Sequence, residues 1–289
     1  MDDRDMNTTL TSTKRIACVV GNPVRHSLSP AIHNAAFAAA NTDAVYVALE
    51  IDDDSLSSTI ATLRTVGFVG ASVTIPHKES ALALCDESSD TARILGSVNT
   101  LIPLEGGRLR GESTDGAGCV GALRQAGSDP RGRRCVVVGA GATARACVVG
   151  LAQAGAEWIG VLNRTPERAV SAAALAPGIA HVAAADDIDN CDVIVHTTPA
   201  GMGANVDRAF DVSRLDARHT VLDAVYQPLE TVLLAAARAS GARCIDGLWM
   251  LVHQAVEQQR LWTGNVPDPD VMRHAAELEL ARRREMRRE

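Results

Sequence analysis

Val136-Val-Val-Gly139-Ala-Gly141-Ala-Thr-Ala144-Arg-Ala146 is the stretch on which the fold turns. A hydrophobic strand runs into G-x-G-x-x-A and then into an alanine-rich helix. Gly139 permits a tight turn, Gly141 lets backbone approach a pyrophosphate at a helix N-terminus, and Ala144 keeps the helix close to the sheet. Such a string alone is a weak signal, and an ordinary small-residue βα turn would also produce it. The strand before it and the helix after it supply the context of a dinucleotide-binding turn.

The next strand ends Gly160-Val-Leu-Asn163-Arg164-Thr165-Pro166-Glu-Arg168. A site for NAD usually offers Asp or Glu here to the ribose 2′-OH. Asn163, Arg164 and Arg168 instead suit a 2′-phosphate, which guanidinium groups and the Thr165 hydroxyl would bind through charge-assisted hydrogen bonds. Thr165 and Pro166 also read as the cap and first residue of a helix. NADP is therefore the expected cofactor.

Strand and helix patterns alternate on both sides of this unit. Apolar runs at 16–20, 44–49 and 69–73 alternate with helical patterns at 30–40, 55–66 and about 78–85. A strand at 98–103, a Gly106-Gly107 turn and a short strand through Arg110 follow. After Thr114-Asp115-Gly116 a helix runs to about Gln125. Strands near 158–162, 192–196, 221–225 and 242–245 follow the glycine turn, and helices at 248–262 and 268–284 close the chain. This spacing predicts an α/β protein with parallel sheets, in two units meeting near residues 112–117. Ligands of such sheets bind beyond the carboxyl ends of the strands.

The chain has 289 residues, 46% hydrophobic and 22% charged, with a formal net charge of −7. That balance argues against nucleic acid as the main partner but leaves room for a small anion. No apolar run reaches the length of a membrane span, and the first fifteen residues lack the apolar core of a secretory signal. Seven scattered cysteines without CxxC, and histidines without ligand spacing, indicate a reduced cytoplasmic protein with no metal site. The Arg-rich end, Ala281 to Glu289, reads as a solvated helix end whose cations complement the helix dipole.

Three segments carry candidate chemistry. In Val20-Gly-Asn-Pro-Val-Arg-His-Ser27-Leu-Ser29-Pro30, Ser29 and Pro30 read as a helix cap and first turn, which leaves Ser27 as a second hydroxyl on the same lip. In Ser72-Val-Thr74-Ile-Pro76-His-Lys78, Pro76 is expected to begin a helix with Lys78 in its first turn. The dipole there favours the neutral amine, as a general base requires. Asp115 reads either as a helix cap or as the carboxylate partner of Lys78 across the mouth of the cleft.

At this point the chain resembles the shikimate dehydrogenases, which reduce 3-dehydroshikimate with NADPH. The matching strings are GNPVRHSLSPAIHN, VTIPHK, GSVNTL, STDG, GAGATARA, NRTPERA, TTPAGM, DAVYQP and GLWMLVHQA, in family order from residue 21 to 255. The resemblance implies two lobes: an N-terminal α/β substrate domain, 1–114 with 248–289, and a Rossmann-like NADP domain, 115–247. It implies that Ser27 and Ser29 hold the substrate carboxylate and that Thr74, Asn99, Asp115, Tyr226 and Gln254 contact the ring hydroxyls. Lys78 and Asp115 would transfer the proton. Gly139, Ala140, Gly141, Ala142, Thr143, Asn163, Arg164, Thr165 and Arg168 would line the NADP site, with Ala224 and Gly247 at its nicotinamide end. Closure of the lobes would hinge near 112–117 and 245–248.

The chain departs from the family at Ser72, Ser113 and His196, each in place of an asparagine. Ser72 and Ser113 are expected to flank the catalytic pair and so bear on ring specificity. His196 reads either as a satisfied structural histidine or as a group that biases the cofactor phosphates. The implied partner is a small alicyclic hydroxy acid, and the chain is read as a monomer or homodimer. Quinate or aminoshikimate dehydrogenase activity is the nearest alternative, and a non-catalytic NADP-binding sensor the alternative of another class. Folate or glutamyl-tRNA reductase chemistry leaves Ser27, Ser29, Tyr226 and Gln254 without a purpose.

Overall fold

The computed structural model describes residues 12–286. Most of the chain's first fifteen residues and the last three of its Arg-rich end therefore lie outside the described residues. The N-terminal half runs β1 (Arg15–Gly21), α1 (Ser29–Ala39), β2 (Ala44–Glu50), α2 (Leu56–Val66), β3 (Gly70–Val73), α3 (Lys78–Ala83), β4 (Glu87–Ser88), α4 (Asp90–Leu95), β5 (Thr100–Pro103), β6 (Leu109–Glu112) and α5 (Asp115–Gln125). The remainder runs β7 (Arg134–Val138), α6 (Ala142–Gln153), β8 (Trp158–Leu162), α7 (Pro166–Ala173), β9 (Ala180–Val182), β10 (Val193–His196), β11 (Thr220–Asp223), α8 (Val232–Ala239), β12 (Arg243–Ile245), α9 (Gly247–Thr263) and α10 (Pro269–Met286).

Two six-stranded sheets result. The second has the order β12-β11-β10-β7-β8-β9, with every pairing parallel. Counted within that half, the order is 3-2-1-4-5-6, the doubly wound arrangement whose crevice opens beside its first strand. Cys135 to Val138 are buried, as the unbroken apolar run of a strand covered on both faces requires. The first sheet, β2-β1-β3-β5-β6-β4, departs from the parallel expectation: β5 runs antiparallel to both β3 and β6. The Gly106-Gly107 turn folds β6 directly back on β5, and a direct turn of that length can join only antiparallel neighbours.

Three helix starts differ from the sequence expectation. Ser29 is the first residue of α1 and Leu28 holds the cap position; the Ser27 hydroxyl accepts from the Ser29 N–H at 3.1 Å. Pro76 does not begin α3. His77 N–H bonds the Thr74 carbonyl at 3.0 Å, closing a tight turn, so the helix starts at Lys78. Asp115 likewise lies inside the first turn of α5, with Thr114 at the cap position.

The helices α9 and α10 return to the first half. Leu248, Val252, Met272, Ala276 and Leu280 form one cluster with Leu28, Ile32 and Ala36. Between the two sheets, α5 packs on both sides through glycine. A Cβ on Gly116 would lie 2.5 Å from the Ala146 carbonyl of α6, and one on Gly150 only 2.7 Å from the Gly116 Cα. A Cβ on Gly118 would lie 2.7 Å from the Met250 carbonyl of α9. That close fit carries Asp115 at the N-terminus of α5 to the line where the halves meet.

Candidate active site

The carboxyl ends of β1, β3 and β11 and the first turns of α3 and α5 surround a cleft of about 220 Å³. Its walls contain Ser27, Ser29, Thr74, Lys78, Asn99, Asp115, Tyr226 and Gln254, together with Thr143, Ala224 and Gly247. The fold thus gathers, from distant parts of the chain, every residue that the sequence assigned to substrate or proton transfer. Burial raises the Tyr226 phenol above its ordinary value, so it stays protonated and able to donate.

Lys78 Nζ donates to Asp115 Oδ2 at 2.5 Å, with the two side chains 17% and 18% exposed. The other carboxylate oxygen accepts from Asn99 Nδ2 at 2.7 Å. A carboxylate can only accept, and this fixes the sense of a whole chain of bonds behind it. Asn99 turns its amide nitrogen to Asp115, so its oxygen accepts from the Thr100 hydroxyl at 2.7 Å and the Thr114 N–H at 2.8 Å. Thr100 in turn accepts from Gln258 Nε2 at 2.9 Å, and Gln258 Oε1 accepts from Ser72 at 2.9 Å. Ser72 accepts from the Tyr46 hydroxyl at 2.6 Å. Burial holds the Tyr46 phenol well above its ordinary range, so it ends the chain as a donor. This relay of Asn99, Thr100, Gln258, Ser72 and Tyr46 holds Asp115 in one orientation toward Lys78.

Tyr46, Thr100, Thr114 and Gln258 escaped the sequence reading. Gln258 had a legible signal, since it lies one helical turn beyond Gln254 and shares its face. Tyr46 had none, because its contact with Ser72 of β3 depends on β2 and β3 lying on either side of β1.

On the nucleotide side, Gly139 has φ +120°, and a Cβ there would lie 2.5 Å from the Thr197 hydroxyl. Gly141 is the cap residue of α6 and faces open space, with nothing within 4 Å of where its Cβ would be. Ala140 joins the two glycines, and Ala142 and Thr143 open the helix, where backbone N–H groups have no partner within the helix. Asn163 Nδ2 donates to the Thr165 carbonyl at 2.9 Å. Thr165 occupies the cap position of α7 without using its hydroxyl as a cap. Among the described residues, exposed Arg164 and Arg168 have no ion-pair partner. An open glycine cradle and two unpaired guanidinium groups at adjacent strand ends fit a pyrophosphate and a 2′-phosphate, and hence NADP. Gly247 meets the Ala224 carbonyl so closely that a Cβ would lie 2.4 Å from it, which keeps this end of the cleft flat.

The three departures separate. Ser72 lines the cleft, as expected. Ser113 does not: it faces a second cavity, about 310 Å³, with Arg124, Gln153 and Glu257, because the chain reverses sides between Ser113 and Asp115 as α5 begins. His196 is 1% exposed and fully engaged, with Nδ1 2.8 Å from Asp223 Oδ1 and Nε2 2.5 Å from Thr198 Oγ1. It is a satisfied structural histidine.

Comparison with known proteins agrees with this geometry. Residues 19–101 match the shikimate dehydrogenase substrate binding domain and 247–277 the shikimate 5′-dehydrogenase C-terminal domain. Residues 134–227 match the NADP oxidoreductase, coenzyme F420-dependent family. A shikimate dehydrogenase (NADP(+)) of Rubrobacter xylanophilus is 41% identical over 265 residues, 89% of this chain and 93% of that one. The crystal structure of shikimate 5-dehydrogenase from Thermus thermophilus in complex with NADP(H) and shikimate has a TM-score of 0.85 at 35% identity, covering 91% of this chain and 98% of its own. Quinate dehydrogenase from Corynebacterium glutamicum in complex with NAD has a TM-score of 0.83 at 33% identity, covering 91% and 98%. A glycine cradle, a Lys–Asp couple in the cleft before it and a likeness that spans most of the sequence lead to one conclusion: this chain belongs to the shikimate dehydrogenase family.

Proposed function

We propose that the chain is an NADP-dependent shikimate dehydrogenase, reversibly reducing 3-dehydroshikimate to shikimate. The observation that carries the reading is the 2.5 Å Lys78–Asp115 couple, which lies in the same cleft as the Ser27–Ser29 pair and the Ala224–Gly247 floor. When bound, NADPH supplies hydride to the substrate's keto carbon. Lys78 passes a proton to the carbonyl oxygen as it gains negative charge, and takes it back in the reverse direction. The Asp115 carboxylate accepts from Lys78 and, held by Asn99, keeps it aimed. Ser27 and Ser29 donate to the substrate carboxylate, and Thr74, Asn99, Asp115, Tyr226 and Gln254 contact its ring hydroxyls. A small acid bearing several hydroxyls is selected by such a set because each group left unpaired on binding weakens the complex.

The substrate domain comprises 1–114 with 248–289 and the nucleotide domain 115–247, a division supported by the joint cluster of α1, α9 and α10. The protein is read as cytoplasmic, which its seven free cysteines support. No helix among the described residues is long and apolar enough to cross a membrane.

Quinate with NAD is the second reading, favoured by the likeness to the quinate dehydrogenase and by Ser72 in the cleft wall. Initial rates with shikimate or quinate and NADP or NAD decide between them. Turnover of shikimate with NADP is expected, and Arg164→Ala should raise the KM for NADP about tenfold, the equivalent of one charge-assisted bond. Preference for quinate and NAD would move the enzyme to the second reading. Tight NADP binding without turnover of any pair would leave a sensor.

A further inference from the structure

The two serines that face the substrate are neutral donors, and of the basic side chains in the cleft, Lys78 is committed to Asp115. The remaining one, His26, is exposed. A carboxylate bound there by hydroxyls alone would lose its hydration with little positive charge nearby to offset it.

The charge comes from the Arg-rich end of the chain. Arg283, in the last turn of α10, is not solvated as the sequence suggested: its side chain is 25% exposed and turns back to the loop that carries the serines. Nη1 donates to the His26 carbonyl at 2.6 Å, and Nη2 donates to the Ser27 carbonyl at 3.0 Å, across 256 residues of sequence. Nε donates to Glu279 Oε1 at 2.6 Å. The bonds from Arg282 and Arg283 hold the Glu279 carboxyl down to about 2, and two guanidinium groups on this one carboxylate leave the cluster net positive. The planar fork meets two successive carbonyls in the way it would meet a carboxylate, which fixes the backbone at His26 and Ser27. Ser27 Oγ is in turn tied to the Ser29 N–H, so one clamp places both hydroxyls. Arg283 is also near enough to act on the cleft: its charge opposes the burial shift of Tyr226.

We propose that Arg283 is the positioning residue of the carboxylate subsite, holding the Ser27–Ser29 pair in place and supplying from behind the loop the positive charge that a bound carboxylate needs. The inference rests on the substrate reading above. Arg282 and Arg284 are exposed, and among the described residues neither makes a hydrogen bond to that loop; Arg282 bonds Glu279 instead.

The test is calorimetric binding of shikimate, and of its uncharged methyl ester, to the NADPH-saturated protein, in which no hydride can pass, alongside steady-state rates with NADP. Arg283→Gln should weaken shikimate about ten- to a hundredfold, with a much smaller effect on the ester, an unchanged Kd for NADP and a raised KM at nearly constant kcat. Arg283→Lys keeps the charge without the fork and should fall between; it also serves if the glutamine variant fails to fold. Arg284→Gln should match the wild type. Undiminished shikimate binding by both Arg283 variants would overturn the proposal, as would equal loss of acid, ester and NADP. A wild-type protein that binds NADP but no shikimate would overturn the substrate reading and this inference together, a result distinct from either variant's failure.

Discussion

Of the pairs that join a basic side chain to an aspartate, Lys78–Asp115 and His196–Asp223 do opposite work. Lys78 and Asp115 keep 17% and 18% of their surface in the cleft, while His196 and Asp223 keep 1% and none. Asp223 accepts from His196, from the Val225 N–H at 3.0 Å and from the Thr231 hydroxyl at 2.6 Å, and the far side of the imidazole ends on Thr198. Both imidazole nitrogens and both carboxylate oxygens of that set are engaged by partners within the protein. Lys78 has one strong partner and an open cavity beside it. The chemical types alone do not make a proton-transfer pair; an unfilled valence facing a substrate does.

The largest effect that sharpens this contrast is on turnover. Lys78→Ala should lower kcat about a thousandfold, the range of a general acid–base group, while thermal unfolding and NADP affinity stay near wild type. A mild loss of rate would break the assignment. His196→Ala should do the reverse. It leaves Asp223 buried without its main side-chain partner and should lower unfolding free energy by about 3 kcal/mol, read by chemical denaturation, with a far smaller change in kcat. A stable but inactive His196 variant would erase the distinction between the pairs.

The smallest effect belongs to a third carboxylate, Glu279, whose pKa falls from 4.5 to about 2. A depressed carboxyl stabilises the fold fully above its unfolded value and loses that contribution as pH falls through the folded one. The stability gap between wild type and Glu279→Gln should therefore be constant above about pH 4.5 and close on the way to pH 2. A gap that persists at that acid limit would show that the clamp does not depend on the ionised form.

The nucleotide half was almost wholly legible in the sequence, and for a physical reason. Its strands are covered on both faces, so each reads as an unbroken apolar run, and its glycine turn states its own geometry at Gly139 and Gly141. What escaped there was β9, three residues at the sheet edge whose His181 and Val182 are exposed. The substrate half was less legible. The two-residue β4 and six-residue α4 are too short to show a period, and the reversed direction of β5 is a property of sheet order rather than of its own residues. The site shows the same division. Ser27, Lys78 and Asp115 stood out through their local setting and the resemblance. Tyr46 and Gln258 act on Asp115 through contacts that span up to 186 residues, which no local pattern encodes.

The glycine seam on α5 has a consequence for descent as well as for packing. With Gly116 against α6 and Gly118 against α9, this helix is fitted to both lobes at backbone distance. A lobe borrowed from a relative would have to arrive with a matching surface on α6 or α9, since any added methyl at 116 or 118 meets a carbonyl oxygen well inside contact distance. Recombination between relatives is then productive only when Gly116, Gly118 and Gly150 travel together. The two halves are bound to a shared inheritance by three missing side chains.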